Sequence, residues 1–155
     1  MTDSITFDAV TLANLYLLAL VIWREARGTS FDAMKAVAFS VRNRVLHPSW
    51  WGKDWHSVIT AHLQYSSFNA GDPNAVKYPQ AEDPQWKAAV DVANTVYNGG
   101  ATAAACPDPT NGSTHYYDRS LDENPPSWAK SPEMTHVSDI GPFHFYRPVF
   151  LGVKA

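Results

Sequence analysis

One acidic side chain closes an otherwise apolar stretch, LLALVIWREARG over residues 17–28, and it is well placed to do proton chemistry. Glu25 lies four residues after Val21 and three after Ile22, so on a helix its carboxyl continues their apolar stripe. Burial there raises the pKa of the carboxyl because it disfavours the charged form. A raised pKa suits a general acid, which must hold its proton near neutral pH. Glu25 is therefore the predicted catalytic residue.

The alternative for Glu25 is a structural ion pair with an arginine such as Arg42 or Arg44, since such pairs also perturb pKa values. Two later segments favour the catalytic interpretation. LQYSSFN over 63–69 and DPTNGSTHYY over 108–117 place amides and hydroxyls beside aromatic rings. Sugar-binding clefts use this mixture for hydrogen bonding and for stacking on ring faces, although most aromatic residues of any domain belong to its core.

Histidine and cysteine usage bounds the metal and redox chemistry. The sequence has one cysteine, Cys106, which excludes an internal disulfide and a thiolate zinc cluster and is expected to be a small packed or surface residue. Six histidines would allow a three-histidine zinc site, but no HExxH pattern occurs. His136 and His144 could face each other across a hairpin. No metal ligand and no cofactor are predicted, and a zinc hydrolase is kept as an alternative.

Composition predicts a single globular domain over residues 1–155. Hydrophobic residues make up 45% of the chain and charged residues 17%, which is typical of a protein with a real core. The net charge of −3 comes without any block of like charges, so a nucleic-acid partner is not expected. The first residues are acidic and the apolar run ends in WREAR, which argues against a signal peptide and against stable membrane insertion.

The elements that must position these residues begin with helices. The first is predicted from about Asp8 to a stop at Gly28, and the second starts with Thr29 as its cap and Asp32 in a capping box. Residues 47–82, rich in Pro, Gly, Asn, Trp and His, predict short helical pieces and exposed loops.

A further helix is predicted from the cap Asp83 and Pro84 to a stop at Gly99. The last third is aromatic and β-branched, with Gly141 and Pro142 as a turn between two short strands. The predicted fold class is therefore α+β and mainly helical, with a small antiparallel sheet in the C-terminal third.

Five blocks in this order resemble the SleB-type cell-wall hydrolases. They are EARG over 25–28, AVAFSVRNRV over 36–45, QYSSF over 64–68, DPTNGSTHYY over 108–117 and IGPFHFYR over 140–147. The resemblance covers about residues 15–147, nearly the whole chain. Two blocks depart from the family pattern: QYSSF carries two extra residues, and IGPFHFYR shifts His144 by one position.

The resemblance implies a lysozyme-like or lytic-transglycosylase-like fold. It also implies cleavage of the β-1,4 bond between N-acetylmuramic acid and N-acetylglucosamine in peptidoglycan, with Glu25 as the catalytic acid. Because of the insertion in QYSSF, Tyr65, Ser67 and Phe68 are alternatives for the substrate-facing position. The predicted substrate-binding residues are Gln64, Ser67, Phe68, Thr110, Tyr117 and Tyr146, with Thr110 as a hydrogen-bond partner of the acid.

Two reaction routes stay open from the sequence. A lytic transglycosylase needs one carboxyl, which acts first as acid and then as base while the muramic C6 hydroxyl closes a 1,6-anhydro ring. A muramidase needs a second carboxylate, about 5 Å away if retaining or about 6.5–9.5 Å away if inverting. Asp108, Asp118 and Asp139 are the candidates for that role.

The expected partner is the glycan strand of peptidoglycan, and the protein is predicted to be a monomer. Synthesis in the cytoplasm and release to the wall through a holin-type lesion, as for a phage endolysin, is the expected route, with a virion-associated lysin as the alternative. Two rival functions are an N-acetylmuramoyl-L-alanine amidase that uses zinc and a non-catalytic glycan-binding module.

Overall fold

Helices come first in the chain and a small sheet comes last. The computed structural model describes residues 8–61, 65–98 and 106–152. Within these residues the elements are α1 (Ala9–Ala26), α2 (Phe31–Leu46), α3 (Trp55–Thr60), α4 (Pro84–Asn98), β1 (His115–Asp118), β2 (Met134–Ile140), β3 (Phe143–Pro148) and α5 (Val149–Gly152). Short 3-10 turns lie at Ser66–Phe68, Arg119–Leu121 and Ser127–Lys130. The predicted α+β class, mainly helical with a C-terminal antiparallel sheet, is confirmed.

Helix α1 is the central element of the core. The Asp8 side chain caps it by accepting a hydrogen bond of 2.8 Å from the Thr11 amide, and Gly28 turns the chain beyond its end with a φ of +80°. The second half of α1 is buried against α2, α3 and α4. The buried, free Cys106 belongs to the same core.

By length and composition, α1 is the one helix among the described residues that could cross a membrane. Its first half carries exposed apolar side chains, among them Val10, Leu12 and Tyr16, whereas its second half lies in the core. Core helices of soluble proteins and N-terminal signal sequences meet the same criteria, so the helix by itself does not assign a location.

Helix α2 begins one residue later than predicted. Ser30, rather than Thr29, is the cap, and its hydroxyl accepts a hydrogen bond of 3.1 Å from the Ala33 amide. The Thr29 hydroxyl instead donates to the Ala26 carbonyl at 2.5 Å, where it satisfies a terminal carbonyl of α1. Both residue types are good caps, and the carbonyl at the end of the preceding helix decides between them.

Helix α4 begins as predicted. The Asp83 carboxylate accepts a bond of 2.8 Å from the Gln85 amide and a second of 2.8 Å from the Trp23 indole, which ties α4 to α1. Its buried face consists of Ala89, Val92, Ala93 and Val96. The predicted stop at Gly99 lies outside the described residues.

The three strands form an antiparallel sheet in the order β1-β3-β2, so β1 is an edge strand. Gly141, at a φ of +56°, forms the predicted turn between β2 and β3. A Cβ at this position would lie 2.8 Å from the Cβ of Ala33, so the hairpin tip packs directly on the first turn of α2. Glycine satisfies both the backbone conformation and this close approach.

The two faces of the sheet differ in composition. The inner face packs on the helices and carries Tyr116, Phe143 and Phe145. The outer face carries the side chains that alternate with these, namely His115, Tyr117, His136, Asp139, His144 and Tyr146. An irregularity in β2 between His136 and Ser138 inserts one extra residue, Val137, which pairs with nothing on β3.

Candidate active site

Glu25 lies on the last turn of α1 and is half-buried. It lines a cavity of about 390 Å³ that runs along the free edge of β1. The ion pairs among the described residues all join a histidine to an aspartate, and none of them involves Glu25. The carboxyl thus faces the cleft, as a proton donor to a bound ligand would.

Burial raises the pKa of Glu25, and the negative charge of Asp72 acts in the same direction. Hydrogen bonds from Ser67 and Tyr116 to the carboxylate oppose this effect, because they favour the charged form. The Ser67 amide approaches Glu25 Oε1 at 3.4 Å, which is long for an N–H···O bond. Desolvation is the largest of these effects and holds the proton on the acid to a higher pH than usual.

The two arginines beside Glu25 hold the loop that covers it. Arg24 is buried, and its guanidinium donates to the carbonyls of Ser67 at 3.1 Å, Ala75 at 3.1 Å and Lys77 at 3.2 Å. Arg27 donates to the Asn74 side chain at 2.7 Å. The segment WREAR therefore serves two purposes: its arginines fasten residues 65–78 to the end of α1, and its glutamate faces the cleft.

Tyr116 on the inner face of β1 is a residue of the site that sequence reasoning missed, as are Trp50 and Trp128. The Tyr116 hydroxyl acts on Glu25 by lowering the pKa of the acid, and burial raises the pKa of Tyr116 well above the usual tyrosine value. Strand alternation places Tyr116 and Tyr117 on opposite faces, but the sequence does not say which of them points inward. The neighbouring Tyr65 is also buried, with the Arg44 guanidinium 5.1 Å from its ring centre.

A second cavity of about 800 Å³ continues the cleft, because the two cavities share Trp50, His115 and Trp128. Trp50 is 69% exposed, an unusual exposure for so large a ring. Burial, with a smaller contribution from the charge of Arg44, lowers the pKa of His115 to about 3, so this imidazole is neutral at physiological pH. The result is a long groove with indole rings between the acid and its far end.

The predicted substrate-binding residues are not all brought together. Ser67 contacts the acid and Tyr117 lines the cleft. Phe68 lies under the Arg24 guanidinium, 4.8 Å from ring centre to Cζ, and Tyr146 belongs to the outer face of the sheet; neither lines the cleft. Gln64 lies outside the described residues.

Thr110 does not hydrogen-bond Glu25 as predicted. Its hydroxyl donates to Asp108 Oδ1 at 2.6 Å, and its amide donates to the same oxygen at 2.8 Å. Asp108 Oδ2 in turn accepts from the Asn43 side chain at 2.8 Å. These bonds attach the turn before β1 to α2. They also engage the Thr110 hydroxyl, which the sequence suggested as a partner of Glu25.

Of the three candidates for a second carboxylate, Asp118 lines the cleft with Glu25. Asp108 is held in its turn, and Asp139 lies on the outer face, where it accepts from two histidines. Asp118 also accepts a bond of 2.8 Å from the Ser120 amide.

A family model of cell wall hydrolases matches residues 28–146, more than half of the chain. The chain belongs to the cell wall hydrolase family. The resemblance to SleB-type enzymes is thereby confirmed. No curated protein and no solved structure matches the chain.

As a cell wall hydrolase, the protein is an enzyme that degrades peptidoglycan. The family match begins at Gly28, three residues after Glu25. Glu25 therefore lies outside the matched residues of this cell wall hydrolase, and its role is inferred from the geometry of the cleft.

Proposed function

We propose that this cell wall hydrolase cleaves the β-1,4 bond between N-acetylmuramic acid and N-acetylglucosamine, with Glu25 as general acid and base on a lysozyme-like or lytic-transglycosylase-like fold. The observation that carries the proposal is a half-buried carboxyl of raised pKa, free of ion pairs among the described residues, at the floor of a groove with indole walls. Such a carboxyl stays protonated until a leaving oxygen takes its proton.

In the first step, protonated Glu25 donates to the glycosidic oxygen as positive charge develops on the muramic ring. The Ser67 amide and the Tyr116 hydroxyl then stabilise the carboxylate that remains. Glu25 next acts as a base, taking a proton either from the muramic C6 hydroxyl, which gives an anhydro end, or from water, which gives a reducing end. Asp118, which lines the cleft with Glu25, is the carboxylate that we propose to assist the route through water.

Mass spectrometry of the muropeptides released from purified walls tests the bond. Anhydro-muramic ends identify a transglycosylase, and reducing muramic ends identify a muramidase. Newly freed peptide amines with intact glycan strands would identify an amidase and overturn the proposal.

The role of Glu25 is tested by Glu25→Gln, which keeps the shape and removes the proton. General acid–base catalysis contributes about 10²–10⁴-fold to a rate, so glycan cleavage should fall by at least about 100-fold. Glu82→Gln, at an exposed glutamate, is the matched control and should keep full activity. Cleavage at the native rate by Glu25→Gln would remove the mechanism. A wild-type protein that binds walls without cleaving them would favour the glycan-binding module.

The biological setting is a further part of the proposal. Host lysis by a phage endolysin, with passage to the wall through a holin-type lesion, stays a prediction, as does a monomeric state. Host cells that express a holin should stay intact when they lack this protein and should lyse when it is restored. This result would support that setting.

A further inference from the structure

The outer face of the sheet carries a cluster of imidazole and carboxylate groups that the proposed glycan chemistry does not use. His136, Asp139 and His144 each offer one donor atom, and the donors lie within 4.8 Å of one another. We propose that these three residues bind a divalent transition-metal ion of the Zn²⁺ class, with Asp122 as the outer carboxylate that orients His144.

A backbone irregularity creates the cluster. His136 and Asp139 are three residues apart on β2, and in a regular strand an odd spacing places two side chains on opposite faces. The extra residue Val137 shifts the alternation, so His136 pairs with Tyr146 and Asp139 pairs with His144 on the same face. Bulges often re-aim a side chain toward a functional site, and this one assembles the donor set.

Both imidazole nitrogens lie close to one carboxylate oxygen. Asp139 Oδ1 lies 2.7 Å from His136 Nε2 and 2.6 Å from His144 Nδ1. A metal at about 2.0–2.2 Å from each donor takes the place of the protons that now join them, after a small outward shift of the side chains. Two imidazoles and one carboxylate suit Zn²⁺ and neighbouring divalent ions and leave positions for water.

The surroundings fix the ligands in the way that metal sites do. His144 Nε2 lies 2.9 Å from Asp122 Oδ1, so the nitrogen that does not face the metal donates to a carboxylate. This carboxylate–histidine–metal arrangement sets the tautomer and strengthens the ligand. The ring of Tyr117 lies 5.0 Å from His144, and that of Tyr146 lies 5.0 Å from His136, which restricts the rotation of both imidazoles.

The bound ion links the β2–β3 hairpin to the segment that follows β1. Asp122 belongs to that segment, which also contributes Leu121, Pro126 and Trp128 to the wall of the cleft. The site is separate from the acid, since Glu25 contacts Tyr116 on the inner face. Its role is therefore to brace the cleft wall, and its test does not depend on which bond the enzyme cleaves.

Isothermal titration calorimetry of the untagged, EDTA-treated full chain with ZnCl₂ tests the site. We expect one ion to bind per chain, with a rise in melting temperature in the presence of Zn²⁺. The visible absorption of bound Co²⁺ should report nitrogen and oxygen ligands in a site of low coordination number. His144→Ala and Asp139→Asn should abolish binding at this stoichiometry, and Asp122→Asn should weaken it by about 10–100-fold.

His56→Ala, which removes an exposed histidine on α3, is the matched control and should bind as the wild type does. Circular dichroism shows whether each variant is folded, and Asp139→Asn keeps the shape of the side chain if His144→Ala does not fold. The absence of saturable Zn²⁺ and Co²⁺ binding to the wild type would overturn the proposal. Unchanged binding in folded Asp139→Asn would also overturn it.

Discussion

At the scale of single residues, Glu25 combines two opposing demands. The end of α1 removes water from the carboxyl, while Ser67 and Tyr116 supply hydrogen bonds that its charged form needs. Desolvation prevails, so the folded protein holds this proton more tightly than the unfolded chain does. Both the stability and the activity of the protein should therefore depend on the protonation of this one group.

The free energy of unfolding should reveal the cost of ionising Glu25. Since its folded pKa is raised above the unfolded value of about 4.3, its stabilising contribution is complete below that pH and is lost as pH rises through the folded pKa. Glu25→Gln lacks this titration, so its stability relative to the wild type should increase from acidic to neutral pH. Urea unfolding of both proteins between pH 4 and pH 8 measures the difference. A difference that is flat with pH would contradict the raised pKa.

Tyr116→Phe should move the pH profile of glycan cleavage. The variant removes a hydrogen bond that lowers the pKa of Glu25, so the alkaline limb of the profile should shift to higher pH. Tyr117→Phe, on the opposite face of the same strand, is the matched control and should leave the limb in place. An unshifted limb in a folded Tyr116→Phe protein would show that this hydroxyl does not act on the acid.

At the scale of elements, local signals predicted the helices and the hairpin, but they did not decide between competing local hydrogen bonds. Periodicity, caps and the Gly141 turn are properties of neighbouring residues, so α1, α4 and the β2–β3 hairpin could be found in the sequence. The predicted cap of α2 and the predicted partner of Thr110 were wrong, because Thr29 and Thr110 bond instead to groups two or three residues away in the chain.

The β2 irregularity explains why the histidine cluster was not predicted as a metal site. Sequence periodicity assigns His136 and Asp139 to opposite faces, and only the pairing with β3 reveals the extra residue. The same limit applies to Tyr116 and Tyr117, since alternation separates the two rings without telling which one faces the acid.

The Arg24 contacts give a prediction about the loop over residues 65–78. Arg24→Lys keeps the charge but cannot reach three carbonyls from one planar group. Loss of hydrogen bonds to a charged group costs about 1.5–3 kcal/mol each, so the variant should lose at least about 2 kcal/mol of unfolding free energy and much of its activity. Urea titration measures the loss. Arg42→Lys, at a half-buried arginine on α2, is the control, and an equal loss there would argue against a special role for Arg24.

At the scale of the whole molecule, Glu25 lines one of two adjoining cavities that together form a groove rather than a closed pocket. The two cavities share Trp50, His115 and Trp128, so the space for a ligand extends beyond the cavity that Glu25 lines. A polymer suits such a groove better than a small molecule does, because successive sugar rings can occupy it together.

Trp50→Ala should weaken the binding of long glycan strands without unfolding the protein. The indole is 69% exposed, so its removal costs little core packing, and the loss of a stacking surface should raise KM about tenfold, or about 1.4 kcal/mol. Steady-state kinetics on solubilised strands measures this change. Phe31→Ala, at an exposed ring outside the groove, should behave as the wild type. A lowered kcat with an unchanged KM would instead place Trp50 in the chemical step.

The Arg24 bonds to the backbone have a consequence for how the enzyme meets changes in its surroundings. A peptide carbonyl carries no titratable proton, so these three bonds do not depend on the charge of a partner side chain. The carbonyl partners that fasten the loop are thus insensitive to pH, whereas the protonation of the neighbouring Glu25 follows it.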